Sequence, residues 1–364
     1  MASARVVRPQ VWPQFMYGPG HRSFNSADTA LSAANVSNLR LRFRTRLGTT
    51  TNKFNLGGSV AAARGVLYTS AGDGSLYAVN ATTGKHLWST YVGCCFPSGP
   101  AVSHGTVYVQ GDQGQLFAVS AATGAVRWAD TVSIVWGAYV GQPTIVGSTV
   151  YVLTDEGNLD ALRTSDGSAI WSRTFSAGSF FSAPAVAGGV VYAGVGKSLI
   201  ALDAATGQTL WTRALDNQVW SSPSVDHGRV FVLSSSGTLY ALDQATGAVS
   251  WQAEVGGTIN ASSPAVAYGR VYAANLNGDV AAYNETTGAL DWHANLGAAI
   301  VGSPALAGGL VFVCSEGTNL TALSAATGKV LIRRPGGSSD SSPAVVGGAV
   351  FVASAGTYLS RYSR

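Results

Sequence analysis

The sequence predicts an all-β fold, an eight-bladed β-propeller of four-stranded antiparallel blades, on three observations. A segment of Ala, five residues, Gly, three residues and usually Trp recurs seven times, its Gly at 84, 124, 167, 207, 247, 288 and 328. Self-similarity at a period of about 40 residues marks blades, solenoids or arrays. Between the copies lie short runs rich in Val and aromatics, broken by Gly and Asp, which are strand and hairpin signals. No stretch sustains a 3.6-residue period, so helix is expected to be scarce. Finally, a first-strand signal appears eight times, around Ser59, Pro100, Pro143, Pro184, Pro223, Pro264, Pro304 and Pro343.

One period shows how the strands fall. Pro100-Ala101-Val102 opens a strand, and a turn at His104-Gly105 leads to Val107-Tyr108-Val109. Asp112-Gln113-Gly114 is a hairpin signal before Leu116-Phe117-Ala118-Val119. The turn Ala121-Ala122-Thr123-Gly124 then delivers Val126-Arg127-Trp128. Six copies place Trp four residues after the Gly, and the seventh has Ile332. A large indole there can pack between adjacent blades while its N–H finds a backbone partner.

Eight first strands but seven Gly–Trp segments leave the last blade short of its fourth strand. The N-terminus can supply it. Residues 39–47 alternate Leu, Arg, Leu, Arg, Phe, Arg, Thr, Arg, Leu, with Phe43 where the repeat Trp would stand. The ring then closes non-covalently through both chain ends and exposes only short outer edges. Arg40, Arg42, Arg44 and Arg46 are expected on one face of this edge strand, opposite Leu41, Phe43 and Leu47, where charge blocks edge-to-edge pairing. The expected organisation is an N-terminal extension over residues 1–34, packed on a single propeller over 35–364.

Apolar residues make up 46% of the 364-residue chain and charged residues 11%, which suits a compact, turn-rich β protein. The net charge of +4 sits at one end: residues 1–46 hold seven Arg and only Asp28, and the remainder is slightly acidic. A nucleic-acid-binding surface is therefore not expected. No run of about 18 apolar residues suggests a membrane span, and the start lacks the apolar core of a secretory signal. Three Cys are too few for a disulfide framework.

Segments such as Ala201-Leu202-Asp203-Ala204-Ala205-Thr206-Gly207-Gln208-Thr209-Leu210-Trp211 carry a resemblance. Over residues 35–364 the chain resembles the quinoprotein-like (PQQ-type) eight-bladed propeller family, with its tryptophan-docking motifs. The same repeats occur in dehydrogenases, outer-membrane assembly lipoproteins and sensor ectodomains, so fold does not dictate function. The resemblance implies an extracytoplasmic location, periplasmic or secreted.

Functional residues are expected where the repeat is broken. Connections from the fourth strand of one blade to the first of the next ring the channel mouth. One sector of that ring is aromatic: Phe96, Trp136, Tyr139, Phe180, Phe181 and Trp220. The other offers Asn260 and Asp340. An apolar wall with a few polar groups suits a small molecule or peptide. Cys94 and Cys95 are adjacent in the same ring. In PQQ-dependent alcohol dehydrogenases a vicinal cysteine pair in the corresponding connection covers the quinone, so the resemblance implies a vicinal disulfide and, with it, PQQ with Ca²⁺. Against this, the acidic stretch, the cofactor-binding Arg and the longer metal-binding insertion of those enzymes have no counterpart here. Asp340 and Asn260 alone make a poor site for Ca²⁺, which takes about six to eight oxygens. None of the five His falls in the mouth connections, so no His-based triad or zinc site is expected there. Asp73, Asp112, Asp155, Glu156, Asp279 and Glu316 are expected to give that face an acidic rim. Three readings follow: a non-catalytic, monomeric binding or scaffold propeller; a minimal quinoprotein oxidoreductase or pseudo-enzyme; and a non-redox enzyme with Asp340 as acid/base.

Overall fold

The computed structural model describes residues 11–48, 59–93, 98–111, 114–132, 141–154, 156–176, 182–259, 261–317, 319–336, 340–354 and 358–364. Eight four-stranded antiparallel sheets form the blades of a propeller, and one short 3₁₀ turn, Val36–Asn38, is the helix among the described residues. Blade one comprises Ala61–Ala63, Val66–Ser70, Ser75–Asn80 and His86–Tyr91, from channel to rim. The later blades repeat this pattern of a three-residue inner strand followed by longer ones. Inner and middle strands are buried almost throughout, whereas outer strands alternate exposed and half-buried residues. That gradient matches the sequence, in which only the outer strand carries frequent charge.

Blade eight is built from both ends of the chain. Arg40–Arg46 pairs antiparallel with Tyr358–Ser363, outside Ala349–Ser354 and Ala344–Val346. The expected alternation of the closing strand is interrupted by a register shift between Leu41 and Phe43. Leu41 is consequently exposed rather than inward-facing, while Phe43 is half-buried. The same shift recurs between the third and outer strands of the other blades, just before the Trp position. The arginines cover the edge: the Arg44 guanidinium lies 4.1 Å from the Tyr358 ring centroid, and Arg42 donates to the Ser363 carbonyl.

One contact recurs between successive blades. Trp88, Trp128, Trp171, Trp211, Trp251 and Trp292 each donate their indole N–H, at 2.9–3.1 Å, to the carbonyl that opens the next blade's third-to-fourth-strand turn. In five of these six steps a second-strand tyrosine of the same blade donates its hydroxyl to that carbonyl, at 3.0–3.3 Å. Both lone pairs are thereby used, and the two rings sit 5.9 Å apart. The repeat Gly lies under the indole. A Cβ on Gly207, whose φ is +69°, would stand 2.6 Å from the Trp171 ring. This position needs both a left-handed backbone and no side chain.

The seventh and eighth steps differ because blade eight takes its fourth strand from Arg40–Arg46. Blade eight has no third-to-fourth-strand turn for blade seven to cover. Ile332 is instead buried in the cluster that holds Val36 and Leu39, and Arg334 donates to the carbonyls of Leu39 and Ser37. At the closing seam Phe43 lies over Gly84. Neither Phe43 nor Phe351 has a donor for the Ala81 carbonyl, and a cleft of about 110 Å³ remains there, lined in part by Ala81, Phe351 and Arg361. Arg361 reaches across it to the Thr82 carbonyl at 3.0 Å.

Replacing the buried Trp171 by Ala removes an indole and orphans part of a carbonyl's bonding, and is expected to cost about 3–5 kcal/mol in urea unfolding. Gly207→Ala, which pushes the same ring away, is expected to cost more than about 1 kcal/mol. Burial raises the pKa of Tyr68, Tyr108, Tyr151, Tyr192 and Tyr272, since the folded protein favours the neutral phenol. Their contribution is complete below the unfolded value near 10 and is lost as pH rises above it. The urea midpoint should fall steeply above about pH 10, and less steeply in Tyr272→Phe.

Candidate functional site

The antiparallel topology divides the turns between two faces. One face carries the first-to-second and third-to-fourth-strand hairpins. The other carries the second-to-third-strand hairpins and the connections between blades, and hence the predicted mouth ring. Of the residues predicted there, Trp220 and Asp340 are described, both half-buried, at equivalent positions of blades five and eight. Blades six and seven stand between them. Cys94, Cys95, Phe96, Trp136, Tyr139, Phe180, Phe181 and Asn260 lie outside the described residues. The third cysteine, Cys314, is buried on the second strand of blade seven.

Immediately below the mouth runs a girdle that the sequence reading did not single out. Before four inner-strand prolines stands a serine, Ser222, Ser263, Ser303 and Ser342, whose hydroxyl oxygen accepts from the preceding blade. Ala183 donates its backbone N–H to Ser222 Oγ, Ser222 to Ser263, Ser263 to Ser303, and Ser303 to Ser342, at 2.8–2.9 Å. Across blade two, Ser59 donates to Gln142 Oε1 at 2.7 Å, and Gly99 leaves room for that bond. The sequence signal was present in Ser-Ser-Pro at 221–223, 262–264 and 341–343. It was masked because serine before proline is ordinary in turns.

The opposite side of the channel is occupied by the chain's own N-terminal segment, which visits the inner strands in order. Trp12 exchanges two backbone hydrogen bonds with Ala62 of blade one, and Pro13 accepts from Val102 of blade two. Gln14 Oε1 accepts from Ile145, Pro19 from Val186, Gly20 from Val225, Arg22 from Val266 and Ser23 from Leu306. Asn25 donates to the Val345 carbonyl of blade eight. Each partner is the central residue of a three-residue strand, whose outward backbone groups have no neighbouring strand. A buried N–H of this kind must find an acceptor. Phe15 and Met16 pack against Ala183 of the girdle, filling the space beneath it. The serine girdle thus lies between the strap and the mouth face.

His21 spans this strap. Its Nε2 lies 3.0 Å from Thr144 Oγ1, and Ser224 donates to its backbone carbonyl. Complete burial drives its pKa down to about 3 from 6.5, against the opposing pull of the Pro223 carbonyl.

Among the described residues, the turns and connections of this face hold Asp73, Glu156, Asp216, Glu316 and Asp340 against one cation, Lys197. Partial burial pushes Asp216 and Asp279 upward, but hydrogen bonds outweigh it and hold both below the usual carboxylate value. For Asp216 the donors are Ser236, Ser234, Thr238 and Tyr240; for Asp279 they are Asn295, Asn275 and His293. These carboxylates are ionised near neutral pH and committed to hydrogen bonds, which gives the face a fixed negative charge rather than a proton-transfer group.

Fold and repeat together define an eight-bladed propeller of the quinoprotein type. A family model described as outer membrane protein assembly factor BamB matches residues 30–198 and again 177–364, and the chain belongs to this family. No curated protein sequence matches it significantly. Among solved structures it is similar to BamB from Moraxella catarrhalis, with 19% identity and a TM-score of 0.71, covering 90% of this chain and 100% of that one. It is also similar to the quinohemoprotein alcohol dehydrogenase from Comamonas testosteroni, with 16% identity and a TM-score of 0.80, covering 97% and 80%. A third likeness is to the computationally designed Ika8 protein, with 14% identity and a TM-score of 0.74, covering 85% and 97%. At such identities these likenesses describe the fold alone.

The buried His21 generates a pH dependence of known sign. Its folded pKa is depressed, so its contribution is present above the unfolded value of 6.5 and is lost as pH falls toward 3. One such proton makes stability fall by roughly 1.4 kcal/mol per pH unit across that window. Guanidinium unfolding at pH 7, 6, 5 and 4 should show this slope in the wild type, and His21→Gln should be flatter by that amount.

Proposed function

We propose that this protein is a non-catalytic scaffold propeller that recognises a peptide segment of a partner at the acidic channel mouth. The observation that carries this reading is the charge of the mouth. Seven of the eight blade-to-blade connections contain no Arg or Lys, and the remaining one contributes Lys53. PQQ is a tricarboxylate, and binding such an anion calls for charge-assisted donors. The residues of this face do not fit that group, and no redox step is assigned to it. A mouth poor in cations, with Trp220 beside it, instead suits Lys or Arg beside apolar side chains, since complementary potentials select partners. The family description, which names an outer membrane assembly factor, supports a scaffold role in an extracytoplasmic compartment.

The test uses the full chain and a panel of short extended peptides, apolar with either Lys/Arg or Asp/Glu. Fluorescence anisotropy is expected to show binding of the basic set only, weakening as salt rises. Trp220→Ala should lose about 2 kcal/mol, roughly 30-fold in affinity, as a central aromatic does. Asp340→Asn should weaken binding and flatten the salt dependence. In parallel, protein incubated with PQQ and Ca²⁺ and then desalted is expected to carry no visible chromophore. A retained quinone spectrum, or preference for the acidic peptides, would overturn the reading.

A further inference from the structure

We propose that Asp226, His227 and Glu285 form a binding site for a first-row divalent cation such as Zn²⁺, on the face opposite the mouth. The three residues come from two blades. Asp226 ends the inner strand of blade five, His227 follows in its hairpin, and Glu285 opens the third-to-fourth-strand turn of blade six. His227 Nδ1 lies 2.9 Å from Glu285 Oε1 and 3.5 Å from Asp226 Oδ2. One ligand atom from each residue falls within 4.8 Å of the others. A cation with bonds of about 2.0–2.2 Å to imidazole nitrogen and carboxylate oxygen places neighbouring ligand atoms about 3–3.5 Å apart. The observed spacing requires little adjustment to accept one.

Both acids depart from the repeat in the same inter-blade step. At the position of Asp226 the other blades have Ala63, Ser103, Val146, Ala187, Ala267, Ala307 and Val346. At the position of Glu285 they have Ala, Thr or Gln. Neither acid is needed for the blade contact, because Glu285 serves it through its backbone: its carbonyl accepts from Trp251, and its N–H donates to Gly269. That backbone pinning holds the carboxylate in place. The Glu285 side chain is only 6% exposed, yet its carboxylate has a single protein partner, a histidine whose side chain is 72% exposed. A carboxylate so deeply placed is costly unless an opposite charge meets it. Arg22 of the strap takes Asp226 Oδ1 at 3.0 Å and leaves Oδ2 toward His227. Two carboxylates neutralise a divalent ion, and the exposed histidine side leaves the remaining coordination positions to water, a donor set that zinc accepts. Such an ion would clamp blade five to blade six beside the strap.

The experiment uses the full chain, free of any affinity tag and stripped with chelator. Calorimetric titration with Zn²⁺ is expected to show one equivalent bound, and Co²⁺ should produce visible d–d absorption. His227→Gln, on an exposed turn, should fold normally and lose at least tenfold in affinity. His104→Gln alters the same turn position of blade two, where no acids converge, and should bind as the wild type does; so should His293→Gln. Zn²⁺ should raise the thermal midpoint of the wild type but not of His227→Gln. Absence of saturable binding at millimolar Zn²⁺ would show that the cluster is an ion-pair network only. Unchanged binding by His227→Gln, or loss of binding in His293→Gln alone, would place the ion elsewhere. Either result overturns the proposal. Peptide binding at the mouth is independent of it.

Discussion

The ring depends on one contact: an indole laid over a glycine, its N–H on the carbonyl three residues before that glycine in the next blade. A propeller blade buries both faces against neighbours, yet no hydrogen-bonded strand passes between blades. Something must set the distance and rotation between sheets. The indole supplies apolar area, the glycine permits close approach, and the shared carbonyl fixes direction. With the tyrosine hydroxyl added, a buried carbonyl is fully satisfied, which makes the arrangement costly to leave. The two departures confirm the logic. Where no turn exists to be covered, Ile332 replaces Trp, and where the ring closes, Phe43 covers Gly84 without a donor.

A closed ring creates a second demand at its centre. Eight inner strands each present backbone groups toward the channel axis, and a β-sheet edge left unpaired is unstable in a buried setting. The strap answers this on one side by offering an acceptor to blade after blade. On the other side, the serine girdle ties neighbouring blades through side-chain oxygens. The blade-to-blade connections lie beyond the girdle.

Much of this architecture was legible in the chain. The period, the eight first strands and the alternating segment around Phe43 were sufficient for blade number, strand count and closure, because each is a local pattern of hydrophobicity and turn residues. The exposure of Leu41 was not legible, since a one-residue shift in pairing depends on the partner strand. The positions of Trp220 and Asp340 on the mouth face follow from counting back from a proline. The serine girdle was visible as a repeated tripeptide without its meaning. Asp226, His227 and Glu285 looked like turn residues, and nothing in a linear reading places residue 285 beside 227.

The sequence by itself therefore determined the fold, because a propeller is a sum of local units and each unit announces itself within about 40 residues. Tertiary structure alone decided which repeat-breaking residues meet. The course of the N-terminal strap through eight blades, the burial of His21 and the convergence of two acids on one histidine all arise from closing the ring. Closure brings together positions dozens to hundreds of residues apart, and their proximity is set by packing that no local pattern encodes.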